Sequence, residues 1–309
     1  MRVAYLILAH GYPEQLVRLV RRLDTDSATF LIHLDKKVDE TMYSWLVHQL
    51  SSKPNVHFLK RRTCYWAGFG IVRATIEGVK SVIEKQIPFD YLALLSGQDY
   101  PIKSNEHIGK FLTRHRGTSF IHHHPFPQPL WERHNWGWDR IQFWHVRTAN
   151  HHWVFPHKQM FGSPLLNLVG DTVATLCSLR CSFPKGFQPY GGAQFWCLYR
   201  THVQQVYQLM RDDPRFVRFF RFVDVPDEIF FQTVVGNLVE KSELHNDTLT
   251  YLEWGRPGAT LYRSDFDKMR SAYHLFARKF DATVDSEVLD CIDEELLSGR
   301  ASSHAGGGA

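Results

Sequence analysis

The chain has 309 residues, enough for one large domain or two small ones at roughly 100–200 residues each. Hydrophobic residues make up 44% and charged residues 22%, which excludes a disordered or fibrous chain. A formal net charge of +4 and a pI near 8.7 are too mild to imply nucleic acid.

In chain order, Val3 to Ala9 is continuously apolar and predicts a first buried strand. With Met1-Arg2 before it, this run is too short for a signal peptide and lacks a cleavage site. Leu16, Leu19, Val20 and Leu23 recur at helical spacing. Thr29 to Leu34 and Asn55 to Leu59 read as strands, Ile71 to Glu84 as a helix, and Tyr91 to Leu95 as a fourth strand. Ser104 is a good N-cap for a helix carrying Ile108, Phe111 and Leu112. Strands separated by crossover helices imply an α/β parallel sheet with a nucleotide-binding prior, its ligand beyond the C-terminal strand ends. Those ends are Ala9-His10-Gly11, His33-Leu34-Asp35 and Ser96-Gly97-Gln98-Asp99.

Between Ile121 and Pro189 the period is lost, and five of the nine Trp (Trp131, Trp136, Trp138, Trp144, Trp153) fall within 23 residues. So aromatic a stretch is not disordered, and its Trp suit either a core or the apolar faces of a sugar. Helical spacing returns from Thr201, another helix follows Pro226, Leu249 to Trp254 reads as a strand, and a last helix spans Ser286 to Leu296. The expected organisation is a domain over 1–297 and a flexible Gly/Ser/Ala tail over 298–309.

Phosphate-loop and dinucleotide glycine motifs are absent, as are H-E-x-x-H and C-x-x-C. Five cysteines (Cys64, Cys177, Cys181, Cys197, Cys291) fit no zinc spacing and read as reduced thiols. Neighbours on a strand point to opposite faces, so His122-His123-His124 and His151-His152 read as polar lining, with no metal expected. Asp24-x-Asp26 and Asp265-x-Asp267 fall where Asp caps and turns are common, away from buried strand ends. In Val225-Pro226-Asp227-Glu228 two acids open a helix, where the dipole favours them, so Asp227 reads as a first-turn or cap acid. Leu275-Phe276-Ala277-Arg278-Lys279-Phe280 frames two cations with apolar residues.

Seven segments in this order resemble the core-2/I-branching β-1,6-N-acetylglucosaminyltransferase family, which also includes peptide O-xylosyltransferases. They are Leu8-Ala9-His10, Ile32-His33-Leu34-Asp35, Trp66-Ala67-Gly68, Ser96 to Lys103, Gly191-Gly192-Ala193-Gln194-Phe195-Trp196, Pro226-Asp227-Glu228 and Phe276 to Asp281. The resemblance implies a GT-A-type, Rossmann-like mixed α/β sheet flanked by helices, with the His/Trp-rich stretch as an acceptor-side insertion. It implies an inverting, metal-independent enzyme of the bacterial type that needs no cofactor beyond its UDP-sugar co-substrate. The sugar, N-acetylglucosamine in the first reading and xylose in the alternative, would pass to a glycan hydroxyl.

By the same resemblance Glu228 is the base, and Asp35, Trp66, Lys279, Arg278 and Arg256 serve the donor, with Arg263 the alternative to Arg256. Trp254, Gln194 and Asp99 serve the acceptor. Animal members carry a membrane anchor, stem and disulfides; this chain begins at the first strand, so a cytoplasmic location is expected, with peripheral contact at the inner membrane face. Two other classes remain: a non-catalytic sugar-binding protein, which need not keep Glu228 with Arg256 and Lys279, and a nucleic-acid binder built on Trp131 to Arg147. No recognised motif supports the second.

Overall fold

Along the first strand, β1 (Val3–Ala9), Tyr5, Ile7 and Ala9 enter one hydrophobic cluster while Ala4 and Leu6 enter another. Side chains alternate across a strand, so β1 is buried on both faces, which is why it reads as an unbroken apolar run. The computed structural model describes residues 1–155, 182–253 and 257–298. From β1 the chain passes through α1 (Pro13–Leu23), β2 (Ala28–Leu34), α2 (Glu40–Leu50), β3 (Val56–Phe58), α3 (Phe69–Glu84) and β4 (Tyr91–Ser96). These four strands pair in parallel, in the order β3, β2, β1, β4. Ser104 caps the later helix as expected, its hydroxyl accepting from His107 N–H.

Helix α2 is not apparent in the sequence. Asp39 caps it by accepting from Met42 N–H, but only Leu46 and Leu50 are buried, too few to mark a face.

After β4 the chain forms β5 (Asp99–Pro101), α4 (Asn105–Arg114), β6 (Ser119–Ile121) and β7 (His124–Pro125). The aperiodic segment holds α5 (Trp138–Gln142) and a hairpin of β8 (Trp144–Arg147) and β9 (His152–Phe155). Then come β10 (Tyr190–Gly191), β11 (Trp196–Tyr199), α6 (Arg200–Asp212), α7 (Pro214–Phe219), α8 (Phe230–Leu238), β12 (Leu244–His245), β13 (Thr250–Leu252), α9 (Phe266–Ser271), β14 (Phe276–Arg278) and α10 (Glu287–Cys291). β11 joins the main sheet antiparallel to β4 and β6, so the seven-stranded sheet is mixed. The expected mixed α/β sheet flanked by helices is therefore the architecture found.

One face of the sheet is covered by α1, α2, α4, α9 and α10, the other by α3, α6, α7 and α8. Gly78 lets α3 lie close on the sheet, since a Cβ there would stand 2.4 Å from Leu6 Cδ1. A small sheet, β13-β14-β5, sets two motifs of the sequence side by side, opposing Arg278 to Asp99. Asp265 has the local role expected and closes a capping box with Tyr262, whereas the Asp24 carboxylate does not cap but receives Lys53 and the Asn55 amide from the segment before β3.

Candidate active site

The C-terminal ends of β1, β2 and β4 lie together because their registers run in step, Ala9 opposite Leu34 and Leu8 opposite Ser96. Asp35 N–H donates to the Ala9 carbonyl at 2.8 Å and ties two of these ends. The Asp35 carboxylate is nearly buried, its Oδ1 accepting from Lys37 N–H at 2.9 Å and Cys64 N–H at 3.5 Å. His10, after β1, has its pKa pushed down by burial and then by the Lys279 charge, with Asp35 pulling it back. Asp35 and Lys279, both assigned to the donor by resemblance, therefore act on one imidazole.

Lys279 is also anchored through its backbone. Its N–H donates to the Ala259 carbonyl at 3.2 Å, and its carbonyl accepts from Leu261 N–H at 2.9 Å.

Asp99 and Arg278, expected at the acceptor and the donor, meet each other. Asp99 is fully buried, its carboxylate accepting from Ser96 N–H at 2.9 Å and Ser96 Oγ at 2.7 Å. Arg278 Nε lies 3.3 Å from Asp99 Oδ1, and its guanidinium stacks over Phe195 at 3.9 Å. Arg263 is turned toward Glu295, at 3.8 Å, and packs over Phe266. Gln194 is half-buried at the approach to β11. Trp66 is 80% exposed with the Arg147 guanidinium 5.3 Å from its ring centre. Trp254 and Arg256 lie outside the described residues.

The Pro226–Glu228 segment is a 3-10 turn entered through Val225 in a left-handed conformation, φ 47°, which a β-branched residue rarely adopts. Val225 N–H donates to the Ala67 carbonyl at 3.2 Å, and Gly192 N–H to the Glu228 carbonyl at 2.9 Å. Gly192 has no alternative here, because a Cβ would lie 1.7 Å from the His122 carbonyl oxygen. Glu228 Oε2 meets Arg140 Nη1 at 3.1 Å, with the carboxylate side 33% exposed and the arginine side 10%. Trp131 lies against that guanidinium, 4.0 Å from ring centre to Cζ. Burial pushes the Glu228 pKa up and Arg140 opposes it, leaving a partly exposed carboxylate held by one cation.

Asp227 is not the cap expected. Helix α8 starts at Phe230 with Ile229 as its N-cap, and Asp227 is buried with Oδ1 lacking a hydrogen-bond partner among the described residues. Burial, then the Glu228 charge, raises its pKa to about 7.

Cys64 joins the two halves: its N–H reaches Asp35, and its thiol, raised to about 12 by burial and then by Asp35, also feels Asp227. Arg140 and Cys64 escaped sequence reading, the first because it stands in the aperiodic stretch and the second because a lone cysteine carries no spacing signal.

Three of the five clustered Trp are packed: Trp131 and Trp138 edge-on to Phe126, and Trp144 on Phe222. Trp136 and Trp153 are exposed. Of the three arginines in the stretch that suggested nucleic acid, Arg140 pairs with Glu228 and Arg147 with Asp224, while Arg133 is exposed. The His122 and His124 rings face each other, Nε2 to Nε2 at 2.9 Å, while His123 turns to the Ile121 carbonyl.

A 540 Å³ hollow lined by Met1, Val3 and Ala28 lies at the opposite, N-terminal strand ends. A 190 Å³ pocket lined by Tyr65, Ala67, His145, Arg147 and Arg221 borders the loop that receives Val225. Among the described residues no helix is long and apolar enough to cross a membrane.

The sequence profile of the Core-2/I-Branching enzyme family matches residues 3–273. Xylosyltransferase 2 of Mus musculus is 26% identical, covering 96% of this chain and 34% of its own length. Xylosyltransferase 1 of Homo sapiens is 22% identical, covering 96% of this chain and 30% of its own. The chain thus spans about a third of the length of these relatives. Among solved structures, apo mouse xyloside xylosyltransferase 1 aligns with a TM-score of 0.38 and 12% identity, over 89% of this chain and 97% of that one.

Proposed function

Since the chain belongs to the Core-2/I-Branching enzyme family, we propose that it is an inverting glycosyltransferase moving a sugar from a UDP-sugar to a glycan hydroxyl, with Glu228 as general base. The observation that carries this reading is the Glu228 carboxylate, one third exposed and held by buried Arg140 on a turn tied through Ala67 and Cys64 to the strand end at Asp35. Inversion takes one displacement at the anomeric carbon. The acceptor hydroxyl passes its proton to the Glu228 carboxylate as its oxygen attacks, and the bond to UDP breaks. A positioned base contributes on the order of 10²–10⁴-fold.

The charge developing on departing UDP needs fixed cations. Lys279, whose charge acts on His10 after β1, and Arg256 take this role without a metal, while Asp35 and Trp66 hold the uridine side. Arg263, 3.8 Å from Glu295 and packed over Phe266, is the alternative second cation. Trp254 and Gln194 serve the acceptor. The first donor reading is UDP-N-acetylglucosamine; the xylosyltransferase relatives favour UDP-xylose as the second. Location is proposed as cytoplasmic, with peripheral contact at the inner membrane face.

The test is Glu228→Gln, which keeps size and hydrogen bonding but not basicity at neutral pH. Transfer from a panel of UDP-sugars should fall 10²–10⁴-fold while calorimetric UDP affinity stays within a few-fold. Undiminished transfer by the variant refutes the assignment, and a parent that turns over no UDP-sugar refutes the enzyme reading.

A further inference from the structure

The β8–β9 hairpin pairs His145 with Val154 and Arg147 with His152. Residues two apart on a strand share a face, so His145 and His152 are diagonal neighbours on one side of the hairpin. Their rings stack at 5.3 Å, and His145 Nδ1 is 3.0 Å from His152 Nε2. Asp224, buried just before the catalytic turn, completes the group. Its Oδ1 is 4.0 Å from His145 Nδ1 and 3.8 Å from His152 Nε2. Among the described residues these three make the one group of His, Cys, Asp or Glu side chains whose ligand atoms all lie within 4.8 Å of one another.

Tetrahedral donors at zinc's ordinary bond lengths stand about 3.4 Å apart, which the separations of 3.0–4.0 Å bracket. The outer contacts fit as well. His145 Nε2 lies 3.0 Å from the Asp139 carbonyl oxygen and donates to it, which turns the Nδ1 lone pair toward the group. Arg147 bonds Asp224 Oδ1 from Nε at 3.0 Å and Nη2 at 2.5 Å. A carboxylate has about four acceptor sites on its two oxygens, and Arg147 takes two of them on Oδ1, so the ion would share Asp224 through the remaining sites.

We propose that His145, His152 and Asp224 bind a zinc-class divalent ion that clips the His/Trp-rich hairpin to the turn carrying Glu228. Two imidazoles and one carboxylate suit zinc and disfavour magnesium and calcium, which seek all-oxygen shells. The ion's place is structural: Asp224 N–H donates to the Arg140 carbonyl at 2.9 Å, and Arg140 in turn holds Glu228. An ion on Asp224 would therefore fix the hairpin, the arginine and the base relative to one another. Its binding does not depend on the transferase reading.

The test titrates zinc into chelator-stripped full-length chain against a chromophoric chelator, with thermal scans alongside. One zinc per chain should bind at micromolar or lower Kd and raise the melting temperature by a few degrees, on the order of the shift that ligand linkage gives at saturation. Millimolar magnesium should give no shift. His152→Ala, whose side chain is 32% exposed, should weaken zinc at least tenfold while its thermal scan without zinc still shows a cooperative transition. His122→Ala removes the other facing pair of imidazoles and should leave zinc binding intact. Parent-like affinity in His152→Ala, loss of zinc in His122→Ala, or an equal shift with magnesium would each overturn the proposal.

Discussion

Asp227→Asn removes a carboxyl that is 8% exposed, unpartnered at Oδ1, and raised from 3.8 to about 7 by burial and then by Glu228. Because the folded value lies above the unfolded one, the folded chain keeps this proton across a window in which the unfolded chain releases it. The parent is therefore most stable, relative to the variant, below about pH 4. It loses ground as pH rises toward 7 and carries the whole penalty above that. At 1.36 kcal/mol per pH unit, the interval from 3.8 to about 7 corresponds to ~4 kcal/mol, of which ~3 falls between pH 4.5 and 8. Asparagine brings its own cost, about 1–3 kcal/mol if its buried amide is unpaired, but that cost does not vary with pH. Urea unfolding of both proteins at pH 4.5, 6 and 8 reads the change in the gap, which should move by about 3 kcal/mol in the variant's favour. A gap that stays constant, or one that widens in the parent's favour with pH, would show that Asp227 is not a carboxyl kept protonated by burial. The second result is what a helix-capping aspartate would give, at about 1 kcal/mol.

Lys279→Ala should weaken UDP binding measured by calorimetry at least tenfold, since a charged hydrogen bond of about 1.5–3 kcal/mol is lost; Arg256→Ala should do likewise and Arg263→Ala should not. Transfer should persist in excess EDTA, assayed by UDP release; a loss restored by Mn²⁺ or Mg²⁺ would place a metal in the chemical step, whereas a modest loss restored by Zn²⁺ alone would trace to the hairpin clip. Leu6→Ala, at a fully buried position of β1 against Gly78, should cost about 2–5 kcal/mol in urea unfolding with little effect on UDP affinity of the folded protein.

Features whose physics is local are legible in the chain alone. The runs Val3 to Ala9 and Tyr91 to Leu95 announce strands buried on both faces, and Leu16, Leu19, Val20 and Leu23 announce a helix, because periodicity is written residue by residue. Glu228, Asp35 and Lys279 were nameable only because short motifs surround them. Elsewhere local rules gave the wrong role. Asp227 has the chemistry of a helix-start acid, yet Val225's left-handed turn and the delayed start of α8 at Phe230 bury it beside Glu228. Asp99 and Arg278 stand 179 positions apart, and only the pairing of β5 with β14 makes them opposite residues that neutralise each other. The same holds for Arg140 under Trp131 and for Asp224 against the hairpin, neither of which any spacing predicts. The chain codes strands and helices through neighbours in sequence. Whether a charged side chain meets solvent, a ligand or an opposite charge is settled by neighbours in space, and that was decided by how the sheet ends and loops pack.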